Sequence, residues 1–226
     1  MKGMLSLSLT LVVCLLAGFA DSARAVPIAI QFDFSGSSVS MLNGLVQIPP
    51  DGSINSASGT LVVNGAGLAT LSAGPASLQG FNLSATVNAV TFGNTITGNP
   101  SVTQIGAAGG TLTPSLAQVV FGAPMQIALG GALGCTGPSC AILSLPAVLT
   151  GTQLLNLAAL PIANLAVLGN AFIDATYAIT FNGMTGSLHL VGAEVSRVVV
   201  PEPQTAGLLA LGVFALAGWR AARSRR

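Results

Sequence analysis

Apolar and polar residues alternate over several stretches of this chain, and a period of two predicts strands with one buried face. Ile28, Ile30, Phe32 and Phe34 are separated by Ala29, Gln31 and Asp33, while Phe81, Leu83, Ala85, Val87 and Ala89 are separated by Asn82, Ser84, Thr86 and Asn88. After Ala89 the apolar positions move to Val90 and Phe92, which predicts a β-bulge at that point. Tyr177, Ile179 and Phe181 lead into Asn182-Gly183, and Leu188 and Leu190 resume the pattern after Thr185-Gly186, as two antiparallel strands joined by a glycine-containing loop would. Leu61-Val62-Val63, Val119-Val120-Phe121 and residues 195–200 are further strand candidates. Gly65-Ala66-Gly67, behind the first of these, lacks the third glycine of a phosphate-binding loop and reads as a hairpin turn.

Two places break the pattern. Residues 152–160 offer Thr152 as a cap, apolar positions at 154, 155, 157 and 158, and a stop at Pro161, which predicts a short helix. Thr113-Pro114 predicts a helical turn. Many short strands punctuated by Gly and Asn predict an all-β fold, an antiparallel β-sandwich or barrel-like body, formed as one domain over residues 26–200.

Charge sharpens this picture. The chain has 226 residues, of which 6% are charged and 51% hydrophobic, against a usual charged share of about a quarter. Between residues 26 and 200 the charged side chains are Asp33, Asp51, Asp174, Glu194 and Arg197, a formal balance of −3. One Arg cannot neutralise a phosphate backbone, so nucleic-acid binding is excluded. Abundant Val, Leu, Ile and Ala also exclude the disorder that comes from low hydrophobicity and high charge. An outer-membrane barrel needs aromatic girdles, and seven Phe and one Tyr in this stretch are too few for them.

The two ends carry signals of their own. Lys2, an apolar run over 5–20 and Ala23-Arg24-Ala25 have the three parts of a secretory signal peptide, with cleavage expected after Ala25. At the other end Val200, Pro201, Glu202 and Pro203 precede an uncharged stretch, residues 205–219, and then Arg220, Arg223, Arg225 and Arg226. Two prolines around Glu202 remove backbone donors and hold the tetrapeptide extended. The uncharged stretch is 15 residues long; as a helix it reaches about 22 Å against a hydrocarbon core of about 30 Å. Trp219 at the interface and a snorkelling Arg220 would extend its reach, and the arginines would hold the C-terminus in the cytoplasm. A hydrophobic helix is expected at each end of the body.

The order Val200-Pro201-Glu202-Pro203, short Leu/Ala/Gly stretch, terminal arginines resembles the PEP-CTERM sorting signal of Gram-negative bacteria. That resemblance covers the last 26 or so residues. It implies an exosortase of the inner membrane that reads Pro-Glu-Pro, removal of the tail, and delivery to the cell surface or extracellular polymer matrix. It implies nothing about residues 26–200.

Candidate chemistry in the body is sparse. Cys135 and Cys140 enclose Thr-Gly-Pro-Ser, and in an exported chain they are expected to form a local disulfide. With one His beside them they lack the ligands for a zinc site. His189 alternates with Leu188 and Leu190 and so belongs on a solvent-facing side. Asp174 lies near it in sequence, but no Gly-x-Ser-x-Gly elbow occurs. Asp33, Asp51, Asp174 and Glu194 have no motif around them and read as solvated surface acids. The sequence therefore predicts no catalytic residue, no metal and no cofactor. It predicts an exported structural or adhesive protein, with signal peptidase, exosortase, an extracellular polysaccharide and further copies of itself as partners. The rivals are a secreted hydrolase and a small-ligand-binding β-domain.

Overall fold

The computed structural model describes residues 25–41, 46–48, 52–141, 147–181 and 184–200. The expected signal peptide and C-terminal hydrophobic helix, Asp51, and the Asn182-Gly183 connection lie outside them. Among the described residues there are seventeen strands and one turn of 3-10 helix. The strands are β1 (Val26–Asp33), β2 (Ser38–Met41), β3 (Val46–Ile48), β4 (Gly52–Gly67), β5 (Thr70–Leu71), β6 (Gly74–Thr91), β7 (Asn94–Gly98), β8 (Ser101–Gln104) and β9 (Ala108–Thr113). They continue as β10 (Gln118–Phe121), β11 (Met125–Gly130), β12 (Ala132–Thr136), β13 (Ala147–Val148), β14 (Gly151–Leu155), β15 (Ala159–Ala163), β16 (Phe172–Phe181) and β17 (Met184–Val199). The helical turn at Pro114–Leu116 stands where Thr113-Pro114 predicts it.

Every strand pairing among the described residues is antiparallel, and the fold is all-β as the alternation predicts. At one end the pairing closes on itself: β1 bonds β4, β4 bonds β6, and β6 bonds β9. β9 bonds β10, β10 bonds β15, β15 bonds β16, β16 bonds β17, and β17 returns to β1. Toward the other end β6 leaves β9 and takes up β8 and then β7, β8 bonds β11, and β11 bonds β14. Facing that layer, β16, β17, β2 and β3 form the second sheet. One molecule thus has a barrel-like end and a sandwich-like end.

Alternation fixes which side chains go inside. Ile28, Ile30, Phe32 and Phe34 are all fully buried. Phe34 stacks on Phe32 and meets Phe81 edge-on, with ring centroids 5.9 and 5.8 Å apart. These rings lie in one continuous apolar core that runs through both ends. Burying each large apolar side chain stabilises by about 1.5–3 kcal/mol, so this core is the main source of stability.

Two sequence expectations fail for instructive reasons. The bulge expected at Val90 and Phe92 is instead a two-residue hairpin turn, with Thr91 paired to Asn94 and Phe92 and Gly93 at φ 48 and 71°. The buried phase set by Phe81 runs on unbroken to Thr91, leaving Val90 and Phe92 76% and 72% exposed. The bulge in β6 lies at Gly80, between the pairs Thr60↔Gln79 and Ser58↔Asn82. Its φ of 62° is left-handed, a conformation that glycine adopts without a Cβ penalty. The helix expected over 152–160 is two strands, β14 and β15. Their ladders to β11 and β10 bury Leu155, Leu157, Leu160 and Ile162 and expose Leu154, so tertiary pairing overrides a locally helical pattern.

Candidate functional site

β1 and β17, the strands next to the two segments with expected targeting roles, lie side by side at the barrel-like end. β1 and β17 are neighbours in register Ile28↔Val199, and the Val200 amide donates to the Pro27 carbonyl at 2.8 Å. Ala25, the residue before the expected signal cleavage, is exposed and directly precedes β1. Val200, the first residue of the expected sorting motif, is partly exposed and makes the last backbone bond among the described residues. Pro201 has no N–H and cannot extend that ladder. Ala23, Pro201, Glu202, Pro203, Trp219, Arg220, Arg223, Arg225 and Arg226 lie outside the described residues.

Just inside this exit sits a buried ion pair that the sequence reading misses. Glu194 reads as a solvated acid, yet its side chain is 1% exposed and that of Arg197 2%. Three positions apart on a regular strand would put them on opposite faces. A one-residue bulge at Val195, between the pairs Phe32↔Glu194 and Gln31↔Ser196, turns both inward. Arg197 then binds Glu194 through two parallel bonds, Nε to Oε1 at 2.8 Å and Nη2 to Oε2 at 2.7 Å. Its Nη1 donates to the carbonyls of Leu68 and Leu165 at 2.8 and 2.9 Å. The Ala171 amide donates to Glu194 Oε2 at 3.0 Å. The pair thereby ties β17 to the β4–β5 turn and to the segment between β15 and β16. Burial acts to raise the Glu194 pKa, but the bonds from Arg197 and Ala171 and the guanidinium charge outweigh it and hold the carboxyl below the usual range. A clue was present: Leu188, Leu190, Gly192 and Glu194 share one strand phase.

His189 faces outward, as alternation predicts, and its Nε2 lies 2.8 Å from Asp174 Oδ1. Their side chains are 44% and 61% exposed, so water screens the interaction. Ser38 pairs directly with His189 across the β2 ladder. A Ser-His-Asp triad needs the third partner bonded to the imidazole, and among the described residues His189 bonds only to Asp174. Asp33 caps its own turn, accepting the Ser35 amide and hydroxyl at 2.9 and 3.0 Å.

Cys135 and Cys140 are joined by a disulfide at the far end of the sandwich. Asn94, fully buried beside it, accepts the Ser139 amide at 2.8 Å and donates to the carbonyls of Thr91 and Phe92. The loop enclosed by the disulfide is thus braced against the β6–β7 turn.

Geometry therefore defines a class: an all-β body whose buried charge lies at the end where β1 begins and β17 finishes. Among the described residues no group of three or more His, Cys, Asp or Glu forms a metal site, and no helix is long and apolar enough to cross a membrane. No protein-family model, curated protein or solved structure matches the chain.

Proposed function

We propose that residues 26–200 are an exported, nearly uncharged β-body that serves as a structural or adhesive component of the surface or extracellular matrix of a Gram-negative bacterium, delivered by its C-terminal tail. One observation carries the reading: Val200, the first residue of the three-part tail, is bonded to Pro27 at the start of β1, so the tail follows directly on the paired strands. Signal peptidase would release the chain after Ala25, one residue before β1. The basic tail would then hold the chain in the inner membrane until an exosortase cuts at Pro201-Glu202-Pro203. Four residues lie between Val200 and Thr205, and the five residue steps reach about 17 Å when extended, so the barrel-like end would face the bilayer during that step. The sandwich-like end would face outward and present Val90, Phe92 and Leu154. Exposed apolar side chains and a β14 edge with no ladder partner among the described residues favour association between copies, and a surface with few charges does little to oppose it. Neutral extracellular polysaccharide is the partner such a surface tolerates.

Deleting 201–226, or replacing Pro201 and Pro203 by Ala, tests the route by cell fractionation and intact mass. The wild-type chain is expected at the surface or in the matrix, beginning at Val26 and lacking the basic tail. The variants are expected to lose that delivery. Cytosolic residence of the intact chain, or unchanged delivery of the variants, overturns the reading.

A further inference from the structure

β15 and β16 are bonded only at Ile162↔Ile173 and Ala163↔Phe172, and beyond those pairs they separate. The first chain turns away to bond β10 and then, as β14, to bond β11. β16 continues with β17 as its ladder partner. Across the point of separation the Tyr177 hydroxyl donates to the Ala159 carbonyl at 2.7 Å, replacing a ladder bond with a side chain. Above Tyr177, between β14 and β16, lies a pocket of about 140 Å³. Its floor includes Phe81, Leu83, Ile127, Ile179 and Leu188, all buried. Gln153 and Asn156 on one wall and Thr180 on the other supply neutral hydrogen-bonding groups. Among the described residues that line it, none is ionisable.

We propose that this pocket binds a small neutral molecule with an apolar body and one hydrogen-bonding group, such as an aromatic or medium-chain alcohol or ester. Size sets the first limit, since an aliphatic cavity of about 150 Å³ is filled by benzene. Charge sets the second. A carboxylate, phosphate or amine entering this floor would lose hydration with no opposite charge to replace it. Polarity sets the third: the several hydroxyls of a sugar ring would be stranded against Phe81 and Leu83, so matrix saccharide is not the ligand of this site. One hydroxyl or carbonyl at the rim can reach Gln153, Asn156 or Thr180 while the apolar part takes the floor. The inference is independent of the export route.

The test uses the full chain in nanodiscs of zwitterionic lipid, titrated with 4-fluorobenzyl alcohol and followed by fluorine NMR, with empty nanodiscs subtracting lipid uptake. Saturable binding of the alcohol is expected, with 4-fluorobenzoate at least ~10-fold weaker. Ala178→Trp, at an exposed lining position, is expected to abolish binding. Asn156→Leu is expected to leave the pocket accessible, so that 4-fluorotoluene still binds, and to weaken the alcohol by at most about fivefold, the scale of one hydrogen bond. The proposal is overturned if the alcohol shows only linear uptake, if benzoate binds as well as the alcohol, or if a folded Ala178→Trp chain binds like the wild type.

Discussion

The two ends of this molecule are built from the same long strands and sealed by different means. At the barrel-like end the hydrogen-bond circuit closes, and its interior holds an ion pair with carbonyl and amide partners on two other segments. At the sandwich-like end the circuit opens between β14 and β16, and that end is tied by a disulfide and by Asn94. β6 passes from one regime to the other at Gly80. There Gln104 stands in for the missing ladder, its Nε2 donating to the Leu78 carbonyl at 2.7 Å and its Oε1 accepting the Phe81 amide at 3.0 Å. The contrast teaches that a chain almost without charge spends its buried charge where the strands converge, near both termini, and leaves the divergent end apolar and open.

Breaking the charged seal should give the largest effect. Arg197→Met leaves Glu194 buried without its partner and is expected to destabilise by about 3–5 kcal/mol in urea unfolding, with Glu194→Leu added to it restoring most of the loss. If the single variant unfolds like the wild type, the barrel-like end does not depend on the pair. Removing the disulfide with Cys135→Ala and Cys140→Ala should cost about 2 kcal/mol, the chain-entropy value for so short a loop. Gln104→Leu strands an amide and a carbonyl at the junction and should cost about 1–3 kcal/mol. Tyr177→Phe, at the vertex of the open seam, should cost about 1 kcal/mol.

pH separates the two ends further. Glu194 is held below its unfolded value of 4.5, so its contribution is full above that pH and disappears as pH falls through the lower folded value. Tyr177 is pushed by burial from 10.0 to about 12, so its contribution is present below pH 10 and lost as pH rises toward 12. Stability measured across pH should therefore lose its acid limb in the Glu194→Leu, Arg197→Met double variant, and its steepest alkaline limb in Tyr177→Phe. Retention of either limb unchanged would detach that residue from the end assigned to it.

Much of the fold was legible where burial and alternation agree. Ile28 to Phe34 and Phe81 to Ala89 announce their inward faces because a strand reverses direction at every residue and water admits no other arrangement of so many apolar groups. Legibility failed at each bulge. Gly80 and Val195 each add one residue to a strand and invert the phase after it, and neither residue type reveals which one will do so. Val90 and Phe92 mislead for the opposite reason: they are apolar yet outward, on a hairpin whose tip no strand covers. Residues 152–160 carry a helical spacing that only the β11 and β10 ladders overrule.

By itself, then, the amino-acid order determined the all-β class, the low charge and the three-part composition of both termini, since these depend on neighbours within a few residues. Tertiary pairing alone decided that β1 and β17 lie side by side, that Glu194 and Arg197 share a buried face, and that β14 and β16 part to leave a neutral pocket. Those outcomes depend on which edge meets which strand far outside any local window, about 170 residues apart for β1 and β17 and about 20–45 for β14 and β15 with their partners, and on single-residue register shifts that the local apolar pattern does not record.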